Sequence, residues 1–258
     1  MISPRERLVV ALDVPSAAEA HKIVTSLGES VQTYKVGMQL YTAEGPPIVR
    51  DLVSSGHKVF LDLKYHDIPN TVAAAVREAA ELGVSMLTVH AAGGTKMLRA
   101  AAEAARASAI HIEADAHVRS PRTRAARGRQ ESPGLNVLAV TVLTSMEEED
   151  LKEIGVQTRI IDQVVRLASM ALQAGCSGVV SSAHEVRTLR SKLGEDFLAV
   201  TPGVRPAGAA HGDQARVVTP AEAIAAGATH IVVGRPITAA TNPREEAENI
   251  LRACARLT

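Results

Sequence analysis

Val59–Thr71 reads VFLDLKYHDIPNT, and this segment joins a buried strand to the start of a helix. Its first residues form an apolar run too continuous for a strand with one face in water, which is typical of a parallel sheet. Ile68 precedes a proline and is therefore biased toward an extended backbone. Pro69 suits the first position of a helix that is expected to cover Val72 to Leu82. The segment therefore predicts one strand–helix unit.

Two opposite charges interrupt the apolar run of this strand. Asp62 and Lys64 are two residues apart, so their side chains are expected on the same side. Asp67 adds a second carboxylate shortly afterwards. Buried charges are costly unless they are paired or needed for function. The cluster is therefore either a catalytic group or a buried ion pair that only organises the end of the strand.

The same alternation of apolar strand and helix recurs about eight times along the chain. The expected strands cover 8–12, 31–36, 59–63, 84–89, 136–143, 178–182, 197–201 and 229–233. Eight units in 258 residues predict an α/β fold, a single (β/α)8 TIM barrel over 1–258. A doubly wound sheet is the alternative, but Asp13-Val14-Pro15-Ser16 stands where its glycine-rich fingerprint would follow the first strand.

One segment, at about 107–134, interrupts this alternation after a helix expected to end near Arg106. Its arginines are Arg119, Arg122, Arg124, Arg127 and Arg129. A connection this long is functional or disordered, and a basic run is one feature of nucleic-acid binding. No aromatic residue is interleaved with these arginines. This favours a solvated insertion and no nucleic-acid partner.

Composition narrows the classes of protein further. Apolar residues make up 46% of the chain, aromatic residues 2%, and the formal net charge is +0, so a polyanionic partner is not indicated. The two cysteines, Cys176 and Cys254, are far apart and lack metal-ligand spacing, which favours a reducing, cytoplasmic setting and no metal. The sequence shows neither a signal-peptide pattern nor the ~20 apolar residues of a membrane span.

Polar residues fall at the ends of the expected strands. In a barrel these ends open at one rim, where active sites are found, so the pattern favours an enzyme. The residues are Asp13, Lys35, Asp62, Lys64, His90, Thr144, Ser181, Thr201, Arg205 and Arg235. Individual members have simpler alternatives: His90 as a structural histidine, Thr144 as a helix cap, and Asp13 as the end of its strand.

The last strands of a barrel commonly carry a phosphate site. Gly234, directly after the eighth strand, lets a phosphate approach the backbone closely. Arg235 offers paired donors to phosphate oxygens, and Arg205 lies on the neighbouring loop. The sequence therefore predicts that the ligand carries a phosphate.

These blocks together resemble the orotidine 5'-phosphate decarboxylase family over essentially the whole chain. Asp62–Thr71 is similar to the long signature of that family. The other matching blocks, in order, are Asp13, Lys35, Leu143–Ser145, Thr201–Pro206, Gly212–Gln214 and Val233–Pro236. The Arg-rich insertion is the one departure, and it leaves these motifs intact.

The resemblance implies the decarboxylation of orotidine 5'-monophosphate to uridine 5'-monophosphate, the last step of de novo pyrimidine synthesis, without a metal or an organic cofactor. Lys64 would protonate C6, and Asp62 would lie against the departing carboxylate. Lys35 and Asp67 would complete an alternating charge array that keeps Lys64 charged and aimed.

The resemblance also implies the substrate-binding residues and a partner. Binding residues would be Asp13 and Lys35 at the ribose, Asp62 at the carboxylate, Thr144 and Gln214 at the pyrimidine, and Arg205, Gly234 and Arg235 at the phosphate. Asp67, Ile68 and Thr71 would reach into the site of the neighbouring subunit. The expected assembly is a homodimer with shared active sites.

Two alternatives remain open on sequence grounds. A metal-dependent sugar-phosphate decarboxylase or aldolase of related barrel type shares an Asp-x-Lys-x-x-Asp pattern whose acids hold Mg²⁺. Lys35 and Lys64 lie among the acids here and would repel such a cation. A non-catalytic nucleotide-sensing barrel would need the phosphate residues but not Asp62, Lys64 and Asp67.

Overall fold

The eight predicted strands form a closed, parallel barrel. The computed structural model describes residues 2–118, 134–206 and 218–255, without the side chains of 109–118. The strands are β1 Leu8–Ala11, β2 Thr33–Gly37, β3 Lys58–Tyr65, β4 Met86–His90, β5 Asn136–Val140, β6 Gly178–Val180, β7 Leu198–Thr201 and β8 His230–Val233. Each strand pairs with the next, and β1 pairs with β8. The predicted (β/α)8 barrel is confirmed, and the doubly wound alternative is wrong.

Helices alternate with these strands. They are α1 Pro4–Arg7, α2 Ala17–Leu27, α3 Met38–Glu44, α4 Pro46–Ser54, α5 Pro69–Glu81, α6 Gly94–Val118, α7 Glu148–Glu153, α8 Ile160–Gln173, α9 Ala183–Leu193, α10 Pro220–Ala225, α11 Arg235–Thr238 and α12 Pro243–Ala255. Pro69 begins α5, as predicted, because a first-turn residue needs no backbone N–H partner. Within the described residues, no helix is both long and apolar enough to cross a membrane.

Most predicted boundaries lie within two residues of those in the structure, but two differ by more. The helix expected to end near Arg106 continues as α6 to Val118, because residues 107–118 are rich in alanine and contain neither glycine nor proline. The first part of the expected insertion is therefore helical. Its arginines lie outside the described residues, so the Arg-rich insertion stays a prediction. The fifth strand was expected to reach Leu143 but ends at Val140.

Alternate residues of each strand pack against two different layers. Val9 and Ala11 of β1 face the barrel interior, where they pack with Phe60 and other side chains. Leu8 and Val10 belong to the larger core between the strands and the helices. Both layers are almost entirely aliphatic, which agrees with the low aromatic content. The packed interior makes the barrel a rigid support for side chains at the strand ends.

Candidate active site

Asp62 and Lys64 lie side by side at the end of β3. Nζ of Lys64 is 2.9 Å from Oδ1 of Asp62, which confirms that the two side chains share one side of the strand. The backbone is not that of a regular strand, because the φ of Lys64 is 52° and the pairing with β4 shifts register between Leu61 and Tyr65. Bulges of this kind occur next to active sites, where they re-aim a side chain.

Lys35 and Asp13 extend this pair into a row of alternating charges. Nζ of Lys35 lies 2.8 Å from Oδ1 of Asp13 and 3.7 Å from Oδ2 of Asp62. Asp13, Lys35, Asp62 and Lys64, here called the charged row, follow one another in that order. The side chain of Asp13 is 58% exposed, whereas those of Lys35 and Asp62 are 11% and 15% exposed. Burial lowers the local dielectric and strengthens the attraction between neighbours.

Gly37 leaves the space that the charged row occupies. A Cβ atom at this position would lie 2.9 Å from Nζ of Lys35 and 3.0 Å from Oδ1 of Asp13. Any larger residue would therefore displace the ion pair between Lys35 and Asp13. The sequence carries a signal for this role, a glycine two residues after a strand-end lysine, but the signal is too common to be specific.

His90 lies beside the charged row and stacks on His66. The two ring centroids are 5.4 Å apart with an interplanar angle of 25°. Burial lowers the pKa of His90, and electrostatic interactions with His66 and Lys64 lower it further. A lowered pKa favours the neutral ring of His90, and with it a structural role over that of a proton-donating cation.

The residues predicted to bind a phosphate lie next to the charged row. A Cβ atom at Gly234 would be 4.0 Å from Oδ2 of Asp13, so β8 and β1 bring these two positions together. Arg205 is 8% exposed, and its pKa is lowered by burial and by the positive charge of Arg235. Two guanidinium groups that repel each other are well suited to an anion bound between them.

Asp67, Ile68 and Thr71 are exposed at the same end of the barrel and do not join the charged row of their own chain. Oδ1 of Asp67 accepts a hydrogen bond of 2.6 Å from the backbone N–H of Ile68. Ile68 is 67% exposed and is one of four exposed large apolar residues in the described part of the chain. All three residues remain available to a neighbouring molecule.

The remaining predicted residues differ in how the structure places them. Thr144 lies half-buried in a turn beyond β5, at the expected end of the barrel. Gln214 lies outside the described residues, so its role stays a prediction. Ser181 and Thr201 do follow or end their strands, but both side chains are fully buried. They are therefore part of the barrel wall rather than of an open mouth.

Sequence reasoning missed Thr88, a fully buried residue of β4. Its Oγ1 accepts a hydrogen bond of 2.9 Å from the backbone N–H of Lys64 and donates one of 2.9 Å to Oδ1 of Asp62. Threonine is common in strands, so nothing in the local pattern distinguishes it from a residue chosen for packing.

The acids of the charged row are engaged with lysines rather than grouped with other acids. Each carboxylate has an ammonium group as its close neighbour, at 2.8 Å for Asp13 and 2.9 Å for Asp62. Among the described residues, no three His, Cys, Asp or Glu side chains are grouped so as to hold a metal ion. A divalent cation between these acids would meet the positive charges of Lys35 and Lys64.

A closed barrel with acids and lysines interleaved at the ends of its first three strands defines a (β/α)8-barrel enzyme. The family model described as "Orotidine 5'-phosphate decarboxylase / HUMPS family" matches residues 6–250. The chain belongs to the orotidine 5'-phosphate decarboxylase / HUMPS family, and its named relatives are carboxy-lyases.

Individual relatives support this membership along nearly the full length of the chain. It is 47% identical over 240 residues to "Orotidine 5'-phosphate decarboxylase" of Moorella thermoacetica, covering 93% of this chain and 88% of the relative. It is 48% identical to the protein of the same name from Afipia carboxidovorans, covering 98% and 96%. The crystal structure of orotidine 5'-phosphate decarboxylase from Lactobacillus acidophilus superposes with a TM-score of 0.79 at 37% identity, covering 96% and 98%.

Proposed function

We propose that the protein decarboxylates orotidine 5'-monophosphate to uridine 5'-monophosphate, the last step of de novo pyrimidine synthesis, without a cofactor. The observation that carries the proposal is the charged row, in which the amine of Lys64 lies 2.9 Å from a carboxylate at the barrel mouth. Family membership supports the substrate, since the named relatives carry that activity in their names.

In the proposed reaction the bond between C6 and its carboxylate breaks and CO₂ departs. The electron pair of that bond stays on C6, and the ammonium group of Lys64 donates a proton to it. Lys64 then regains a proton from solvent. Asp62 and Lys35 fix the position of that ammonium group, and Lys35 is itself held between two acids. Such preorganised charges stabilise charge that develops in the transition state.

Asp62 has a second role in this proposal. Its carboxylate would lie against the carboxylate of the bound substrate, and the like charges would repel each other before CO₂ leaves. Repulsion that is relieved on the way to the transition state speeds the reaction, because it raises the ground state alone. Asp13 and Lys35 would bind the ribose hydroxyls, and Thr144 with Gln214 would bind the pyrimidine.

The phosphate of the substrate would be held by Arg205, Gly234 and Arg235. We expect Arg235→Ala to raise KM for orotidine 5'-monophosphate by about 10- to 100-fold, since hydrogen bonds to charged groups are worth roughly 1.5–3 kcal/mol. Steady-state kinetics on the purified variant measure this change. Turnover of orotidine, which lacks the phosphate, should be the same in the variant and the parent protein.

Arg244→Ala is the matched control for this experiment. Arg244 is also an exposed arginine, but it pairs with Glu248 at 3.1 Å on α12 and is expected to leave KM unchanged. An unaltered KM and kcat/KM in Arg235→Ala, or an equal loss with orotidine, would contradict the assignment of Arg235 to the phosphate.

We further propose a homodimer in which each subunit completes the site of the other. Support comes from Asp67 and Ile68, which are exposed within a few residues of Lys64 but do not join the charged row of their own chain. Met38, which follows β2, is 56% exposed at the same end of the barrel. Exposed apolar residues near one rim are typical of an interface.

Mixed dimers test this shared site. Lys64→Ala and Asp67→Ala are each expected to be nearly inactive. Co-expressed chains should regain about a quarter of the parental activity, because half of randomly formed dimers are mixed and each mixed dimer contains one intact site. Lys64→Ala co-expressed with Asp62→Asn is the control, since both defects then stay in the site of their own chain and no activity should return. Equal results for the two mixtures would contradict the shared site.

The proposed function itself is tested by incubating the purified protein with orotidine 5'-monophosphate and following the fall in its ultraviolet absorbance. Uridine 5'-monophosphate and CO₂ should form, and exhaustive treatment with EDTA should leave the rate unchanged. A rate that EDTA abolishes and Mg²⁺ restores would favour the metal-dependent sugar-phosphate enzymes. Binding of the nucleotide without turnover would favour the sensing barrel.

A cytoplasmic location is also proposed. Cys176 and Cys254 are both free thiols in the buried core. Two free cysteines without a disulfide suit a reducing compartment. Fractionation of the native cells, with the decarboxylase activity followed in each fraction, checks this proposal.

A further inference from the structure

We propose that Thr88 is a positioning residue for the decarboxylation, because its single hydroxyl fixes both the backbone of Lys64 and the carboxylate of Asp62. The kinetic part of this inference rests on the proposed function. Its structural part rests on the geometry of β3 and β4 alone.

A bulge interrupts the pairing of β3 with β4. The residue pairs on either side of it are Leu61 with Leu87 and Tyr65 with Val89. Three residues of β3 therefore face Thr88 alone. Extra residues in a bulge lose their ladder partners, and a buried backbone N–H without a partner is costly. The hydroxyl of Thr88 replaces the missing partner, because it accepts the hydrogen bond of Lys64 N–H at 2.9 Å.

The two hydrogen bonds of the Thr88 hydroxyl have defined directions. An amide N–H only donates, so the Thr88 oxygen is the acceptor toward Lys64 and its one proton is left for Asp62. Oδ1 of Asp62 accepts this hydrogen bond at 2.9 Å and also lies 2.9 Å from Nζ of Lys64. These contacts form a closed ring of three interactions. Thr88 binds the backbone of Lys64, the side chain of Lys64 binds Asp62, and Asp62 binds Thr88. Thr88 has no exposed surface, so water does not compete for these bonds.

The backbone of Lys64 is strained. Its φ of 52° is the one positive value at a non-glycine residue within the part of the chain described. A lysine keeps such a conformation only when its surroundings impose it. Without the Thr88 hydroxyl we expect Lys64 to relax and its amine to leave the point where C6 would lie. Misplacement by about 1 Å costs roughly 10²-fold in rate.

Thr88→Val tests the role, since valine has nearly the same shape and no hydroxyl. We expect kcat for orotidine 5'-monophosphate to fall about 10- to 100-fold while KM stays within about threefold. Thr88→Ser restores the hydroxyl and should return kcat to near the parental value. Thr229→Val is the control: Oγ1 of Thr229 also makes two 3.0 Å bonds to backbone atoms, those of Ala199, but at the other end of the barrel. It should leave kcat unchanged.

Parental kcat in Thr88→Val, or a loss in Thr88→Ser as large as in Thr88→Val, would overturn the proposal. If Thr88→Val does not fold, Thr88→Ser and Thr88→Ala replace it, because they differ only in the hydroxyl. If the parental protein does not decarboxylate the substrate, the proposed function fails instead. Crystal structures of parent and Thr88→Val then decide the positioning role: the φ of Lys64 should leave the left-handed region, and an unchanged Lys64 would refute it.

Discussion

Lys64→Ala is expected to lower kcat by about 10⁴-fold, since a positioned proton donor contributes up to about that factor and no neighbouring ammonium group is free to replace it. Lys35, the nearest other lysine, is held by Asp13 at 2.8 Å and is not free to take over. Folding should be retained, which circular dichroism and an oligomeric mass equal to that of the parental protein would show. Steady-state and single-turnover assays with orotidine 5'-monophosphate measure the loss.

Lys58→Ala is the matched control for this variant. Lys58 begins the same strand, β3, and also forms an ion pair, with Glu6 at 3.3 Å. It lies at the opposite end of the barrel and should leave kcat unchanged. A Lys64→Ala variant with near-parental activity in the purified state would remove Lys64 as the proton donor and, with it, the proposed mechanism.

Asp62→Asn is expected to lower kcat by about 10³-fold and, at the same time, to tighten binding of orotidine 5'-monophosphate. The amide keeps a hydrogen-bond acceptor for Thr88 but loses the negative charge that would oppose the carboxylate of the substrate. A variant that lowers both kcat and KM has lost ground-state strain. Calorimetry with uridine 5'-monophosphate, which has no such carboxylate, should show unchanged affinity.

Glu6→Gln is the matched control, because it removes one carboxylate from an ion pair with a lysine elsewhere in the barrel. Glu6 pairs with Lys58, away from the charged row. Its kinetic constants should match those of the parental protein. Weaker binding of both nucleotides by Asp62→Asn would show instead that Asp62 only organises the site and does not stress the substrate.

Most of the architecture was predictable from local sequence. The continuous apolar run from Val59 and the proline at Pro69 predicted a buried strand followed by a helix, and β3 and α5 confirm both. The repetition of eight such units at this chain length predicted the barrel, and the strands pair in chain order with β1 closing on β8. The end of α6 was not predictable from local pattern, because the alanine-rich residues after Arg106 lead without a glycine or proline into the basic segment that follows.

The candidate site was predictable where its residues follow a strand. Asp13, Lys35, Asp62 and Lys64 come from three strands, yet barrel geometry alone brings their ends together. Thr88 was not predictable, because its role depends on a register shift between β3 and β4 that no periodicity encodes. The steric role of Gly37 likewise depends on distances between side chains of different strands.

The sequence by itself therefore determined the barrel, the residue types at its mouth and the family to which the chain belongs, since these follow from periodicity, strand ends and linear motifs. Only the tertiary structure decided how those charges are ordered and held. Lys64 has a left-handed backbone, and its N–H donates a hydrogen bond to a hydroxyl from the neighbouring strand. Such an arrangement is set by contacts between segments distant in the chain, which a linear pattern does not contain.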